Sequence, residues 1–125
     1  MLTLDELGKL WNKKLKGTVA FSAADPLLRL SFVSSGFWPL DFILGGGFPR
    51  NRISMLIGEP SSGKSLLSQY AIAQVQRSGG SALYVDAEHT FDDKWFVRTG
   101  VRLDDSLMVL RPSSLEQAFD LMDEA

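Results

Sequence analysis

The chain has 125 residues, of which 45% are apolar and 22% charged, and its formal net charge is −2; these values are ordinary for one soluble globular domain. It contains no cysteine and one histidine, His89, so disulfides, thiolate metal sites and histidine-rich metal sites are excluded. The charge gives no global case for nucleic-acid binding, no apolar run approaches a membrane span, and the first residues lack a signal-peptide pattern. We therefore expect a cytoplasmic protein without a membrane partner.

The first predicted element is an amphipathic helix over residues 3–16. Thr3 and Glu6 have the spacing of a capping box, and Gly17 can end the helix. Its apolar residues recur at helical spacing: Leu4, Leu7, Trp11 and Leu15. Two interpretations are open, because this face can pack on the core of its own chain or dock on a neighbouring subunit.

Residues 18–49 carry weaker patterns. Residues 28–33 largely alternate apolar and polar side chains after Pro26, which predicts a strand. Residues 40–44 predict a short helix. The glycines at 45–47, followed by Pro49, predict the turn that ends this helix.

From residue 52 onward, strand and helix patterns alternate. Strands are predicted at 52–57, 82–85 and 107–110, and helices at 64–77, 92–99 and 114–124. The last helix would place Leu115, Ala118, Phe119 and Met122 on one face. This order predicts an α/β fold: a parallel sheet flanked by crossover helices, preceded by the N-terminal helix. Because the sequence stops inside its last helix, we expect the sheet to be incomplete at the C-terminus.

A complete phosphate-binding pattern, G-x-x-x-x-G-K-[ST], joins the first of these strands to the next helix. Glycines let backbone amides approach phosphate oxygens, and the helix N-terminus adds the positive end of its dipole. Lys64 would contact the β- and γ-phosphates, and the hydroxyl of Ser65 suits Mg²⁺. We therefore expect Mg-ATP or a related nucleotide to bind at Gly58, Glu59, Pro60, Ser61, Ser62, Gly63, Lys64, Ser65 and Leu66.

Two carboxylates, Asp86 and Glu88, follow the predicted strand at 82–85. Ligands of open α/β sheets bind beyond the carboxyl ends of the strands, where the P-loop also lies. One of the two could orient or deprotonate a water that attacks the γ-phosphate, or both could simply cap the next helix. The adjacent His89 is interpreted as a hydrogen-bonded neighbour and not as a catalyst.

These residues together resemble the bacterial RecA recombinase family from about Ser35 to Glu124. The P-loop is common to many NTPases, whereas Val85-Asp86-Ala87-Glu88-His89 at this spacing after it is more specific. The other matching residues are Ser35-Gly36, Leu40-Asp41, Leu44-Gly45-Gly46-Gly47, Pro49, Arg52-Ile53, Gly100-Val101, Asp104 and Glu116-Gln117-Ala118.

The resemblance implies roles for individual residues. Glu88 matches the catalytic glutamate that activates water, and Lys64 and Ser65 match the phosphate and Mg²⁺ residues. Asp92 and Trp95 stand where the family holds adenine with an aspartate and a tyrosine, and an indole keeps a flat ring for stacking. From the residues alone, Trp95 would be interpreted as a core aromatic.

The sequence departs from the family pattern in two ways. Asn51 replaces a glycine, which is a mild change because asparagine tolerates left-handed backbone. The family's Mg²⁺-supporting aspartate, its γ-phosphate sensor and its two DNA-binding loops would all lie beyond residue 125.

The expected function is the ATP-binding part of a RecA-like recombinase, a DNA-dependent ATPase that acts on single-stranded DNA in homologous recombination and repair. Its ligands would be ATP or ADP and Mg²⁺. Residues 35–125 would form a partial ATPase core, and residues 1–34 a helix and strand that dock on the next subunit of a homo-oligomer or filament.

Two alternatives are kept. One is a nucleotide-binding or interaction fragment that does not hydrolyse ATP. The other is a different RecA-core ATPase, such as a replicative helicase or a circadian-clock-type ATPase. We expect this chain alone to hydrolyse ATP very slowly or not at all, and to bind DNA poorly.

Overall fold

A computed structural model describes residues 2–123, without the side chains of Leu27, Leu115 and Met122. The chain divides into two units, one ending at Ser31 and the other beginning at Phe32. Residue 124 of the last predicted helix, and the side chains of Leu115 and Met122 on its apolar face, lie outside the described part. The functional division between residues 34 and 35 stays a prediction.

The first unit contains helix α1, Leu4–Lys14, and confirms the predicted N-terminal helix. The capping box forms, because the backbone N–H of Thr3 donates to Glu6 Oε2 at 2.8 Å and the N–H of Glu6 donates to Thr3 Oγ1 at 3.3 Å. The backbone N–H and the hydroxyl of Thr3 both donate to the Glu6 carboxylate, which holds the pKa of Glu6 below its ordinary value. None of the helix residues is buried, and the ring of Trp11 is exposed.

The strand predicted at residues 28–33 is wrong for its first part. Pro26–Leu28 form a 3-10 helix, in which the N–H of Leu28 donates to the carbonyl of Asp25 at 3.0 Å. Proline fixes φ near the value that a helical turn needs, so the turn begins where the strand was expected to begin. Only β1, Phe32–Val33, is extended, and it pairs antiparallel with β2, Phe48–Pro49.

Between β1 and β2 lies helix α2, Trp38–Ile43, which confirms the predicted short helix. Asp41 binds the residues that precede this helix. Its Oδ1 accepts the N–H of Ser35 at 2.7 Å, and its Oδ2 accepts the hydroxyl of Ser34 at 2.5 Å. A glycine is required at Gly47, where φ is 111° and a Cβ atom would lie 2.2 Å from the carbonyl oxygen of Val33. Asn51 has φ 57°, as expected for a residue in place of a glycine.

The rest of the second unit alternates helices and parallel strands. Its elements are α3 Lys64–Arg77, β3 Ala82–Val85, α4 Asp93–Arg98, β4 Leu107–Leu110 and α5 Leu115–Asp123. β3 and β4 pair in parallel, with Ala82 beside Leu107 and Val85 beside Leu110, which confirms both predicted strands. Ala73, Phe96 and Val101 form the buried core, and Ile72, Tyr84, Phe91 and Leu107 pack around it.

The strand predicted at residues 52–57 is wrong, because this segment joins no sheet in the described part of the chain. The side chains of Ile53 and Ile57 are 98% and 88% exposed. An apolar run marks residues suited to burial, but a strand also needs a hydrogen-bonded neighbour. The parallel sheet of residues 2–123 therefore has two strands instead of the three expected.

No helix among residues 2–123 combines the length and the apolar content that crossing a bilayer requires.

Candidate functional site

The segment from Gly58 to Gly63 is an exposed loop that leads into the N-terminus of α3. Ser61 and Gly63 have positive φ angles of 61° and 91°, and Gly63 is the residue immediately before the helix. A Cβ atom on Gly58 would lie 2.7 Å from Ser62 Oγ, so a larger residue here would force the Ser62 hydroxyl to rotate away. The first amides of α3 have no partner within the helix, which makes this end suited to an anion.

The ammonium group of Lys64 lies over this loop. Its Nζ donates to the carbonyl oxygens of Gly58 at 2.9 Å and Glu59 at 2.8 Å. The cation is therefore held at the mouth of the loop, where a phosphate oxygen could replace one of the two carbonyls as its acceptor. Glu59 itself is exposed, so its carboxylate is in solvent.

A cavity of about 190 Å³ brings the start of α3 together with the carboxyl end of β3. Ser65 lines it from the first turn of the helix, and Glu88 lines it from the turn that follows the strand. The other lining residues are Tyr84, Val85, Asp86, Ala87 and Thr90. The predicted Mg²⁺ ligand and the predicted catalytic glutamate thus face one space.

The two carboxylates after β3 differ in environment. Asp86 is 2% exposed, and its oxygens accept the N–H groups of Thr90 at 2.9 Å and Phe91 at 3.0 Å. Burial raises the pKa of Asp86, but these amides and the nearby guanidinium of Arg111 outweigh burial and hold the pKa below its ordinary value. Glu88 is exposed and accepts no hydrogen bond from a described residue, so only Glu88 is free to reach a ligand.

His89 belongs to the same tight turn. Its φ is 56°, and its N–H donates to the carbonyl of Asp86 at 3.3 Å. The side chain is exposed, and no described hydrogen bond fixes it. The residue therefore contributes to the shape of the turn through its backbone.

Asp92 and Trp95 lie together at the start of α4. Asp92 caps this helix, because its Oδ1 accepts the N–H of Trp95 at 2.9 Å. The Trp95 side chain is 48% exposed, so the ring is not a core aromatic. Contact between these residues and an adenine base stays a prediction.

One functional contact was not foreseen from the sequence. Arg111 follows β4 as Asp86 follows β3, and Arg111 Nε lies 3.3 Å from Asp86 Oδ2. The sequence could have predicted this contact, because neighbouring parallel strands in register place the residues after their carboxyl ends side by side.

Comparison with known proteins gives a family. Residues 3–125 match the model of the RecA N-terminal domain. The chain is 40% identical over 109 residues to Protein RecA of Rippkaea orientalis, which covers 87% of this chain and 31% of the relative. It is 38% identical over 109 residues to Protein RecA of Arthrospira platensis (87% and 30%), and 37% identical over 118 residues to Protein RecA of Synechococcus sp. strain WH7803 (94% and 31%).

The chain spans about a third of the length of these curated relatives. The family model matches residues 3–125, and these relatives are 37% to 40% identical to the chain. This chain belongs to the bacterial RecA family.

Proposed function

We propose that the chain is the ATP-binding part of a RecA-like recombinase and that Mg-ATP binds at residues 58–66. The observation that carries the proposal is the shared cavity of Ser65 and Glu88, which lies beside the loop that holds Lys64. A phosphate-binding loop, a cation and a carboxylate that no described residue pairs with are the groups that nucleotide hydrolysis needs.

The proposed role of each site residue can be stated atom by atom. The free amides at the start of α3 would donate to phosphate oxygens, and Lys64 would exchange its loop carbonyls for the β- and γ-phosphates. Glu88 would accept a proton from, or orient, the attacking water. Asp92 and Trp95 would contact the base, with the exposed indole ring offering a stacking surface.

The donors present fit Mg²⁺ held mainly by the nucleotide. No cluster of three acidic or histidine side chains that could hold a metal occurs among residues 2–123. The Ser65 hydroxyl would supply one hard oxygen ligand, as Mg²⁺ typically accepts from a protein that binds it together with phosphates. When bound, the ion would neutralise charge that develops on the phosphate oxygens.

The activity of the whole protein belongs to the same proposal. As a RecA-like recombinase, the whole protein would act on single-stranded DNA in the cytoplasm, in homologous recombination and repair. The exposed apolar residues of α1 support docking of this helix on a neighbouring subunit, as in a homo-oligomer or filament. The family assignment disfavours a replicative helicase or a clock-type ATPase.

A second candidate is a nucleotide-binding fragment without turnover. The exposure of residues 52–57, immediately before the loop, favours it, because this backbone has no sheet to hold it. A loop that is anchored on one side only can bind phosphate and still place it poorly for attack.

Calorimetric titration of Mg-ATP into the chain tests the proposal, with turnover assayed in the same samples. We expect saturable binding that Lys64→Ala abolishes and that Lys13→Ala, a change of an exposed lysine on α1, leaves unaltered. Binding without turnover would support the fragment interpretation. A folded chain that binds no nucleotide would contradict the proposal.

A further inference from the structure

We infer that Asp86 is the positioning residue for Glu88, and that Arg111 holds Asp86 in the required orientation. Given the proposed function, on which this inference rests, Asp86 would decide where the water-activating carboxylate points. Asp86 would touch neither nucleotide nor water itself.

The connection after β3 is a short turn that carries Glu88 at an exposed position. It begins at Asp86, at the end of the β3 ladder, where the N–H of Asp86 donates to the carbonyl of Leu110 at 2.8 Å. It ends at Phe91, whose ring packs on Phe96 with centroids 4.5 Å apart. Both ends of the turn are therefore fixed in the core, and Glu88 lies between them.

The Asp86 carboxylate joins the two ends. Its two oxygens accept the amides of Thr90 and Phe91, so the chain must fold back over the side chain between these points. The residues enclosed are Ala87, Glu88 and His89, and His89 takes a positive φ to close the loop. Glu88 makes no hydrogen bond of its own to a described residue, so the bonds of Asp86 fix the backbone from which its side chain extends.

A direct catalytic role for Asp86 does not fit its surroundings. The residue is 2% exposed and both of its oxygens are used by amides. A base that removes a proton from water needs a lone pair within hydrogen-bond reach of that water. Glu88 is exposed in the same cavity and accepts no hydrogen bond from a described residue, whereas Asp86 is buried and already bonded to two amides and an arginine.

Arg111 supplies the counter-charge from the neighbouring strand. Its Nε contacts Asp86 Oδ2 at 3.3 Å, while the guanidinium is half exposed. A buried carboxylate with an arginine partner stays ionised and accepts both amides at once. The pair thereby links the carboxyl ends of β3 and β4 to the turn.

The test uses the full chain and ¹⁵N NMR. It measures backbone order at residues 87–89, and the amide shifts caused by Mg-ADP and by the non-hydrolysable Mg-AMP-PNP. In the wild type we expect ordered residues 87–89, a Gly63 shift with both nucleotides, and an added Glu88 shift that requires the γ-phosphate.

Asp86→Asn keeps the side-chain shape but loses the charge and one acceptor. We expect order parameters at residues 87–89 to fall below about 0.6 and the γ-phosphate-specific Glu88 shift to vanish. The Gly63 shift should remain, with nucleotide affinity changed by no more than about threefold. A merely structural role would lower stability without this selective loss at Glu88.

Asp104→Asn is the matched control. Asp104 also accepts a backbone amide, from Ser106 at 2.9 Å, and pairs with the Nε of an arginine, Arg102, at 2.9 Å, but it lies at the opposite end of β4. This variant should leave residues 87–89 and the Glu88 response unchanged.

Wild-type order and a retained Glu88 response in folded Asp86→Asn would overturn the inference. If that variant does not fold, Arg111→Gln decides, because it removes the counter-charge and leaves both amide bonds to Asp86. Loosening of residues 87–89, partly restored by Arg111→Lys, supports the inference, and unchanged order rejects it.

The two proposals fail separately. If neither nucleotide shifts Gly63 in the wild type, the proposed function is wrong. The order of residues 87–89 in the variants then still decides whether Asp86 fixes the turn of Glu88.

Discussion

At Asp86, burial and ionisation oppose each other. Removing a carboxylate from water favours its neutral form, yet two backbone amides and one guanidinium stabilise the charge more strongly. Asp104 has similar partners in solvent, where bonds from Ser106 and Arg102 lower its pKa to about 2. The same local arrangement therefore closes an exposed turn before β4 and supports a buried turn after β3.

The lowered pKa of Asp86 predicts a specific acid sensitivity. Because the carboxylate is more acidic in the folded chain than in the unfolded chain, its contribution to stability is complete above the ordinary aspartate pKa. That contribution is lost as pH falls below about 4 and through the folded-state pKa. Urea midpoints measured from neutral pH downward should fall for the wild type.

Asp86→Asn should be less stable at neutral pH and show a shallower acid decline, since the asparagine does not titrate. Parallel wild-type and variant curves across this range would show that Asp86 is not the acid-sensitive group.

Among the elements, those governed by local rules were predictable from the sequence. Helix α1 begins where Thr3 and Glu6 indicate, and its capping box has the expected bonds. β3 and β4 were found from short apolar runs followed by polar residues. Residues 52–57 have the same kind of run and are not a strand, because pairing depends on which other segment lies alongside.

The strand predicted at residues 28–33 was wrong in its first part for a different reason. Pro26 started a helical turn and limited the extended part to β1. In the candidate site, the P-loop pattern predicted where Lys64 and Ser65 lie. The carboxyl end of β3 predicted where Glu88 lies. Period-2 alternation could not reveal that Asp86 is buried and Glu88 exposed.

The cap of α1 allows a prediction at this scale. Thr3→Ala removes the acceptor of the Glu6 amide and should destabilise the helix by about 1 kcal/mol. The loss would appear as lower helical ellipticity and an earlier thermal transition. Thr3→Ser should restore most of the signal, and Thr18→Ala, beyond the helix, should have no effect. Equal losses for the two alanine variants would exclude the capping explanation.

At the scale of the molecule, the second unit buries a small core and leaves an apolar run uncovered. Ala73, Phe96 and Val101 are buried between α3, α4 and the strands, whereas Ile53 and Ile57 face solvent. An exposed apolar segment that joins no sheet among the described residues can pair with another chain.

We therefore expect concentration-dependent self-association through residues 52–57. Ile53→Asp should shift sedimentation profiles toward the monomer, because a charge on an exposed apolar segment opposes strand pairing. Leu103→Asp, which changes a half-exposed apolar residue in a loop, serves as the control. If both variants associate like the wild type, the contact lies elsewhere.

The parallel pairing of β3 and β4 also has a kinetic consequence. The two strands can meet only after the chain between them, including α4, has closed a loop, which is slower than forming a capped helix. Arg111 reaches Asp86 only when that ladder is complete. During refolding, α3 can therefore form before Asp86 holds the turn of Glu88; on the proposed function, phosphate binding would then precede the ordering of the catalytic carboxylate.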